Sequence, residues 1–173
     1  MAPMTSLGVG GSARWFARAT TIEDVAAAHH WCGEAGVPLC VLGGGTNMVV
    51  ADGGVDALVL QVAIRGVDFS QHGASTALRI GAGEPWDDAV SASVSRGLAG
   101  LECLSGIPGS AGGTPVQNVG AYGQDVAQTI AEVTAFDRES GEVVTFGGRE
   151  CGFGYRHSRF KGQDNGRFIV CDV

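Results

Sequence analysis

A dense run of glycine and other small residues between positions 100 and 123 constrains this chain more than any other feature. Seven of these 24 positions are glycine, so the segment has little side-chain bulk to pack against itself. A loop of this length without secondary structure of its own is uncommon unless it is functional. A flat ligand pressed on the backbone would fill the space that the missing side chains leave. Gln117 and Asn118 add amide groups that could read the edge of a heterocycle, and Tyr122 adds an aromatic ring with a polar tip.

A second glycine loop, residues 43–47 (GGGTN), follows an apolar run at 39–42 that predicts a buried strand. Successive glycines let main-chain N–H groups point into one concavity, which suits the oxygens of a phosphate or pyrophosphate. Thr46 and Asn47 can add side-chain donors. No Gly-Lys-Ser/Thr follows, so this is not a P-loop. From this motif alone, a glycine-rich hairpin turn is an equally good interpretation.

Composition places the chain among folded proteins. Hydrophobic residues make up 45% of the sequence and charged residues 17%, which argues against disorder. The formal net charge is −7 and no basic run occurs, whereas a nucleic-acid binder usually presents a basic face. No apolar run approaches the length of a transmembrane helix, and the first residues do not resemble a signal peptide. We therefore expect neither a nucleic-acid nor a membrane partner.

The five cysteines favour a reducing compartment. Their number is odd and no C-x-x-C pair occurs, which indicates a cytoplasmic protein with buried free thiols. No spacing of His, Cys and Asp suggests a metal site.

Periodicity predicts a first β-α-β-β unit over residues 1–64. Thr21 opens a capping-box-like start, and apolar residues at helical spacing continue to Gly36, where the helix should end. Short apolar runs at 39–42, 48–50 and 58–60 predict three strands.

A second unit over residues 65–173 is predicted to begin with a strand at 78–82 and a helix whose first position is Pro85. The helix has an apolar stripe that includes Val90 and Val94. Further strand-like patterns are found at 126–136, 143–146 and 167–173.

Three segments of the chain resemble the UDP-N-acetylenolpyruvoylglucosamine reductase family (MurB, UDP-N-acetylmuramate dehydrogenase). They are residues 42–47 (LGGGTN), 106–123 (GIPGSAGGTPVQNVGAYG) and 154–161 (GYRHSRFK). Their order and approximate spacing match the family, and the central segment is highly specific. The family is part of the FAD-binding superfamily related to vanillyl-alcohol oxidase. The resemblance therefore implies an α+β fold, a two-subdomain FAD-binding module of the vanillyl-alcohol oxidase/PCMH type.

The resemblance also implies how FAD is bound. Residues 43–47 would grip the pyrophosphate, and residues 107–122 would lie along the flavin and its ribityl chain. The implied cofactor-binding residues are Gly43, Gly44, Gly45, Thr46, Asn47, Ile107, Gly109, Gly112, Gly113, Gln117, Asn118, Gly120 and Ala121.

The family reduces an enolpyruvyl ether on UDP-N-acetylglucosamine to UDP-N-acetylmuramate for peptidoglycan synthesis. NADPH first reduces FAD, flavin N5 then delivers hydride to the enolpyruvyl double bond, and an enzyme-bound acid protonates the adjacent carbon. Arg156 matches the family arginine that faces the substrate carboxylate, where a fixed guanidinium stabilises enolate-like charge. The resemblance makes Arg156 catalytic and substrate-binding, and it makes Tyr122 and Tyr155 candidate substrate-binding residues.

The chain departs from the family in its length. Full-length members are substantially longer, and their proton donor and substrate-polarising glutamate lie in a C-terminal part that has no equivalent in these 173 residues. We therefore expect an FAD-binding portion without full activity. Two alternatives stay open: a non-catalytic domain that binds a UDP-sugar or a protein, and another FAD-dependent oxidoreductase of the same superfamily.

Overall fold

A parallel three-stranded sheet forms the first part of the chain in the computed structural model, which describes residues 1–173. Its strands are β1 (Ala13–Ala19), β2 (Leu39–Leu42) and β3 (Val55–Val62), in the order β1-β3-β2. Helix α1 (Ile22–Ala35) connects β1 to β2. The central strand β3 has four successive buried residues, as expected of a strand that is covered on both faces.

Local signals at its two ends define helix α1, and the predicted helix is confirmed. The Thr21 hydroxyl accepts a hydrogen bond from the Asp24 N–H at 3.2 Å, and the Asp24 carboxylate accepts one from the Thr21 N–H at 3.1 Å. The N–H groups of Thr20 and Thr21 hold the pKa of Asp24 below its usual value. Gly36 ends the helix in the left-handed conformation, with φ at +62°.

Two strand predictions in this part need correction. Residues 48–50 have no regular structure, because both edges of β3 already pair with β1 and β2, and Val49 is 76% exposed. The predicted β-α-β-β order matches β1-α1-β2-β3, but no residues had been assigned to the strand before the helix, since Arg14 and Arg18 interrupt the apolar residues of β1.

The middle of the chain begins with a β-hairpin followed by a helix. The hairpin consists of β4 (Val67–His72) and β5 (Ser75–Ile80), and the helix is α2 (Trp86–Val94) with Pro85 as its N-cap. The predicted start of the helix is therefore confirmed to within one residue, whereas the helix ends at Val94, which is half-exposed although it belongs to the predicted apolar stripe. The residues of the core beside α2 are Ile80, Trp86, Ala89, Val90, Leu104, Ala111, Val119 and Val126.

The glycine-rich stretch passes this second core mainly as irregular backbone. Its only strand is the two-residue β6 (Gly120–Ala121), which pairs with β7 (Gln124–Asp125) directly after the stretch. Single 3-10 turns occur along the chain at Ala2–Met4, Glu102–Leu104, Ala111–Gly113, Val126–Gln128 and Gly148–Cys151.

An antiparallel sheet completes the fold, with β8 (Glu132–Asp137) between β10 (Phe168–Asp172) and β9 (Val143–Gly147). The predicted strands at 143–146 and 167–173 are confirmed. The strand predicted at 126–136 is wrong in its first half. There the N–H of Ala127 donates to the Asn118 side chain instead of to a neighbouring strand.

One core cluster joins the first and the last sheet. It brings Leu60 of β3 and Val25 of α1 together with Phe136 of β8 and Ile169 of β10. The core therefore crosses position 64, and the division into units 1–64 and 65–173 stays a prediction. Neither α1 nor α2 combines the length and the apolar character that a membrane-spanning helix requires.

Candidate functional site

The glycine loop at 43–47 leaves β2 with a row of unused hydrogen-bond donors. The main-chain N–H groups of four successive residues, 44–47, donate to no acceptor of the chain. Gly45 is buried and has a φ of +67°, which reverses the direction of the backbone within this row. Successive N–H groups around such a reversal form a concavity that suits an anion.

The two glycine loops pack against each other through their backbones. A Cβ on Gly44 would come within 2.9 Å of the Gly109 Cα, and one on Gly43 within 2.9 Å of the Ser110 hydroxyl oxygen. A Cβ on Gly45 would overlap the main-chain carbonyl of Met4. At these three glycines the missing side chain makes room for the protein itself.

Gly113 behaves differently from the glycines that pack against protein. An added Cβ there would meet no atom within 4 Å, and its φ lies outside the left-handed region. Gly113 also lines a cavity of about 530 Å³. At this position the absent side chain leaves space that a ligand can occupy.

Both glycine loops line this cavity, which is the candidate functional site. Ten of the predicted cofactor-binding residues contribute to its wall: Gly43, Gly44, Gly45, Thr46, Asn47, Ile107, Gly109, Gly112, Gly113 and Gln117. The side-chain amide of Asn47 donates to the Gln117 amide oxygen at 3.3 Å, which links the two loops. The prediction that these residues bind a cofactor stays a prediction.

Three predicted cofactor residues, Asn118, Gly120 and Ala121, do not line the cavity. Asn118 is buried, and its amide is engaged within the chain. Its amide nitrogen donates to the Gly154 carbonyl at 3.0 Å, and its oxygen accepts from the Ala127 N–H at 3.1 Å. The structure gives Asn118 a bridging position between the glycine-rich stretch and the segment that carries Arg156.

The predicted substrate residues lie outside the cavity wall on two exposed turns. Tyr122 is 91% exposed at the tip of the β6–β7 hairpin, and Tyr155 is 94% exposed beside Arg156. Asn118, Tyr122 and Arg156 are the chain's three non-glycine residues with positive φ. Such conformations persist where surrounding structure enforces them, and they cluster at functional sites.

Sequence reasoning missed the far wall of the cavity, which the last sheet and the loop before β10 provide. Arg138, Lys161 and Asn165 line it together with apolar residues of β10. The Arg138 guanidinium donates to the Gly166 carbonyl at 2.6 Å, and the Lys161 ammonium donates to the Arg156 carbonyl at 3.2 Å. The sequence signal for the Lys161 part of this wall is the densest cationic stretch of the chain, which holds Arg156, Arg159, Lys161 and Arg167.

Arg159 and Arg167, two other basic residues of this cationic stretch, form ion pairs within the chain. Arg167 donates to both carboxylate oxygens of the buried Asp137, at 2.9 and 2.6 Å. This guanidinium holds the pKa of Asp137 well below its usual range, and the carboxylate raises the pKa of Arg167. Arg159 pairs with Asp164 at 2.7 Å.

All five cysteines are free thiols, and they differ in how deeply they are buried. Cys32, Cys151 and Cys171 are buried as predicted, whereas Cys40 and Cys103 are partly exposed. Burial raises the pKa of Cys151 and of Cys171 to about 11.

Comparisons with known proteins agree with this architecture. The sequence profile described as FAD binding domain matches residues 13–147. A protein of Streptomyces coelicolor named UDP-N-acetylenolpyruvoylglucosamine reductase is 51% identical over 173 residues, which are 100% of this chain and 44% of that protein. A protein of the same name from Pseudomonas syringae pv. tomato is 43% identical over 99% of this chain and 50% of its own length. The chain thus spans about half the length of these curated relatives.

Solved structures show the same fold. The crystal structure of UDP-N-acetylenolpyruvylglucosamine reductase (MurB) from Thermus caldophilus superposes with a TM-score of 0.77 at 30% identity, covering 99% of this chain and 58% of that one. A structure of 6-hydroxy-D-nicotine oxidase from Arthrobacter nicotinovorans gives a TM-score of 0.69 at 21% identity, covering 94% of this chain and 36% of that one. A VAO-type flavoprotein structure from Myceliophthora thermophila gives a TM-score of 0.67 at 18% identity, covering 95% of this chain and 32% of that one, and shows the same α+β fold.

Proposed function

Because the chain belongs to the FAD binding domain family, we propose that it forms the FAD-binding part of an NADPH-dependent UDP-N-acetylenolpyruvoylglucosamine reductase. The observation that carries the proposal is the row of unused N–H groups at 44–47, which borders a cavity built from two interlocked glycine loops. The curated relatives that match the whole chain are named for this activity.

The residues of the cavity fit FAD. The N–H groups at 44–47 suit the pyrophosphate oxygens, because they need an acceptor and the chain supplies none. Arg138 and Lys161 add positive charge to the wall. Apolar side chains such as Trp86 and Ile107 suit the flat ring systems of the cofactor, and Gly113 lets a ring approach the backbone.

The proposed reaction converts enolpyruvyl-UDP-N-acetylglucosamine to UDP-N-acetylmuramate. When bound, FAD supplies a two-electron carrier that accepts hydride from NADPH and donates it to the enolpyruvyl double bond. Arg156 binds the substrate carboxylate and stabilises the negative charge that develops on the adjacent enolate. Tyr122 and Tyr155 offer exposed aromatic rings for the sugar nucleotide.

The second carbon of the double bond takes a proton from an acid that the family resemblance assigns to the C-terminal part of the relatives. In this proposal the present chain binds the cofactor and supplies Arg156, and it does not complete the reaction by itself. The free cysteines support a cytoplasmic location.

The test begins with FAD titration of the chain, followed by flavin fluorescence. We expect saturable binding of one FAD per chain. The second step uses an extended enzyme, defined here as this chain fused to the C-terminal part of the Streptomyces coelicolor relative that the chain does not span. We expect it to oxidise one NADPH for each enolpyruvyl substrate reduced. Failure of both proteins to bind FAD would contradict the proposal.

A further inference from the structure

The turn that carries Arg156 holds an unfavourable backbone conformation. The N–H of Gly154 donates to the His157 carbonyl at 3.0 Å, and the N–H of His157 donates back at 3.1 Å, which leaves Tyr155 and Arg156 at the tip. Arg156 has a φ of +53°, in the left-handed region that favours glycine. Both side chains at the tip are exposed, so packing of the tip does not enforce this conformation.

Two buried side chains tie the ends of this turn to the glycine-rich stretch. The Asn118 amide nitrogen donates to the Gly154 carbonyl at 3.0 Å. The Ser158 hydroxyl, which is fully buried, donates to the Val116 carbonyl at 2.6 Å. One bond precedes the tip and the other follows it, so the two together fix both ends of the turn.

These two anchors also connect the turn to the cavity wall. Val116 lines the cavity, and Asn118 follows Gln117, which lines it as well. The Lys161 ammonium adds a third bond, directly to the Arg156 carbonyl at 3.2 Å. The position of Arg156 relative to the cavity is therefore set by side chains outside its own turn.

We propose that Asn118 and Ser158 are positioning residues, which hold the Arg156 turn in its left-handed conformation and so aim the guanidinium at the substrate carboxylate. The proposal rests on the proposed function for the role of Arg156. A misplaced guanidinium lowers the rate of substrate reduction without changing how the cofactor is held, because charge stabilisation depends on fixed geometry.

The first experiment measures amide hydrogen exchange of Gly154 and His157 in this chain. Ser158→Ala removes the hydroxyl, and Asn118→Asp replaces the amide donor with an oxygen that faces both the Gly154 carbonyl and the Asp125 carboxylate. We expect each variant to speed exchange of both amides at least tenfold. Ser95→Ala and Gln71→Glu are matched controls, because both side chains donate to a main-chain carbonyl elsewhere in the chain. Unchanged exchange in both test variants would overturn the anchoring.

The second experiment separates the two half-reactions of the extended enzyme by rapid mixing. For Ser158→Ala we expect NADPH to reduce FAD within twofold of the unmodified rate, while the maximal rate of substrate reduction falls at least tenfold. Adding Ser158→Ala to Arg156→Ala should cause no further loss beyond about twofold, since residues that act as one unit are not additive.

The outcomes separate this proposal from the proposed function. An equal further loss in the Arg156→Ala background would overturn the positioning role, because Ser158 would then act independently of Arg156. Equal slowing of both half-reactions would also overturn it, because general damage to the fold moves both. If Arg156→Ala leaves substrate reduction unchanged, the assignment of Arg156 fails, and amide exchange alone decides whether Asn118 and Ser158 anchor the turn.

Discussion

Gly45 lies directly against the main-chain carbonyl of Met4, with no room between them for a Cβ atom. The same segments are joined by a hydrogen bond from the Ser6 N–H to the Gly45 carbonyl at 3.0 Å. The glycine loop after β2 is therefore fastened to the N-terminal turn of the chain.

We expect Gly45→Ala to destabilise the chain by about 2 kcal/mol or more, because alanine at positive φ costs about 1–2 kcal/mol and its Cβ must displace the Met4 carbonyl. Urea denaturation of the chain measures this loss. Gly53→Ala is the matched control, since Gly53 has open space and no positive φ. Equal stability of the two variants would show that the Met4 contact is not restrictive.

Gly113→Val gives a cleaner test of the cavity. The added side chain meets no protein atom within 4 Å of its Cβ, so we expect the urea midpoint to stay close to that of the unmodified chain. Because Gly113 lines the cavity, we expect FAD affinity to fall at least tenfold, or about 1.4 kcal/mol. Fluorescence titration measures the affinity, and Gly53→Val provides the control. Retained affinity would contradict the placement of FAD against Gly113.

Local signals in the sequence were sufficient for the elements whose ends are defined by nearby residues. Helix α1 was predicted because Thr21 and Gly36 cap it through bonds that span only a few residues. The position of strand β1 escaped prediction because this strand is stabilised by parallel pairing with β3, about forty positions away in sequence. The apolar run at 48–50 forms no strand because both edges of β3 are already paired. The local sequence pattern does not indicate whether an edge is free.

The site could be predicted only in part for the same reason. The sequence located both glycine loops, but their mutual contact joins Gly44 to Gly109 across a long sequence separation. Arg138 reaches the cavity because β8 pairs with β10. No sequence motif indicates this pairing. The positive φ of Arg156 depends on bonds from outside its turn, so residue identity alone could not indicate it.

We expect Arg156→Ala in the extended enzyme to lower the rate of substrate reduction about 10²- to 10³-fold, because a charge-stabilising donor of this kind contributes about that factor. Reduction of FAD by NADPH should stay within twofold, since Arg156 does not line the cofactor cavity. Rapid-mixing kinetics of the two half-reactions give both rates. Arg149→Ala, on the 3-10 turn Gly148–Cys151, is the control. Equal loss of both half-reactions would assign Arg156 a structural role.

Thiol reactivity should follow the burial of the cysteines. In the folded chain at pH 8 we expect an aromatic disulfide reagent to modify Cys40 and Cys103 rapidly, because both are partly exposed. Cys151 and Cys171 should react at least a hundredfold more slowly, since burial both shields them and raises their pKa to about 11. All five should react in denaturant. Rapid modification of Cys151 without unfolding would contradict the core described here.

The ion pair between Asp137 and Arg167 predicts how the free energy of unfolding depends on pH. The native pKa of Asp137 lies well below that of an unfolded aspartate, about 3.9, because the guanidinium of Arg167 favours the charged carboxylate. The stabilisation is therefore fully present above pH 5 and is lost as the pH falls below about 4 towards the native pKa. We expect the difference in unfolding free energy between the unmodified chain and Asp137→Asn to be constant above pH 5 and to shrink below pH 4.

Urea denaturation across this pH range measures the difference. The control is Asp56→Asn, which removes the carboxylate of the exposed Arg14–Asp56 pair. A difference that stayed constant down to pH 2 would show that Asp137 stabilises the fold by packing rather than by its charge.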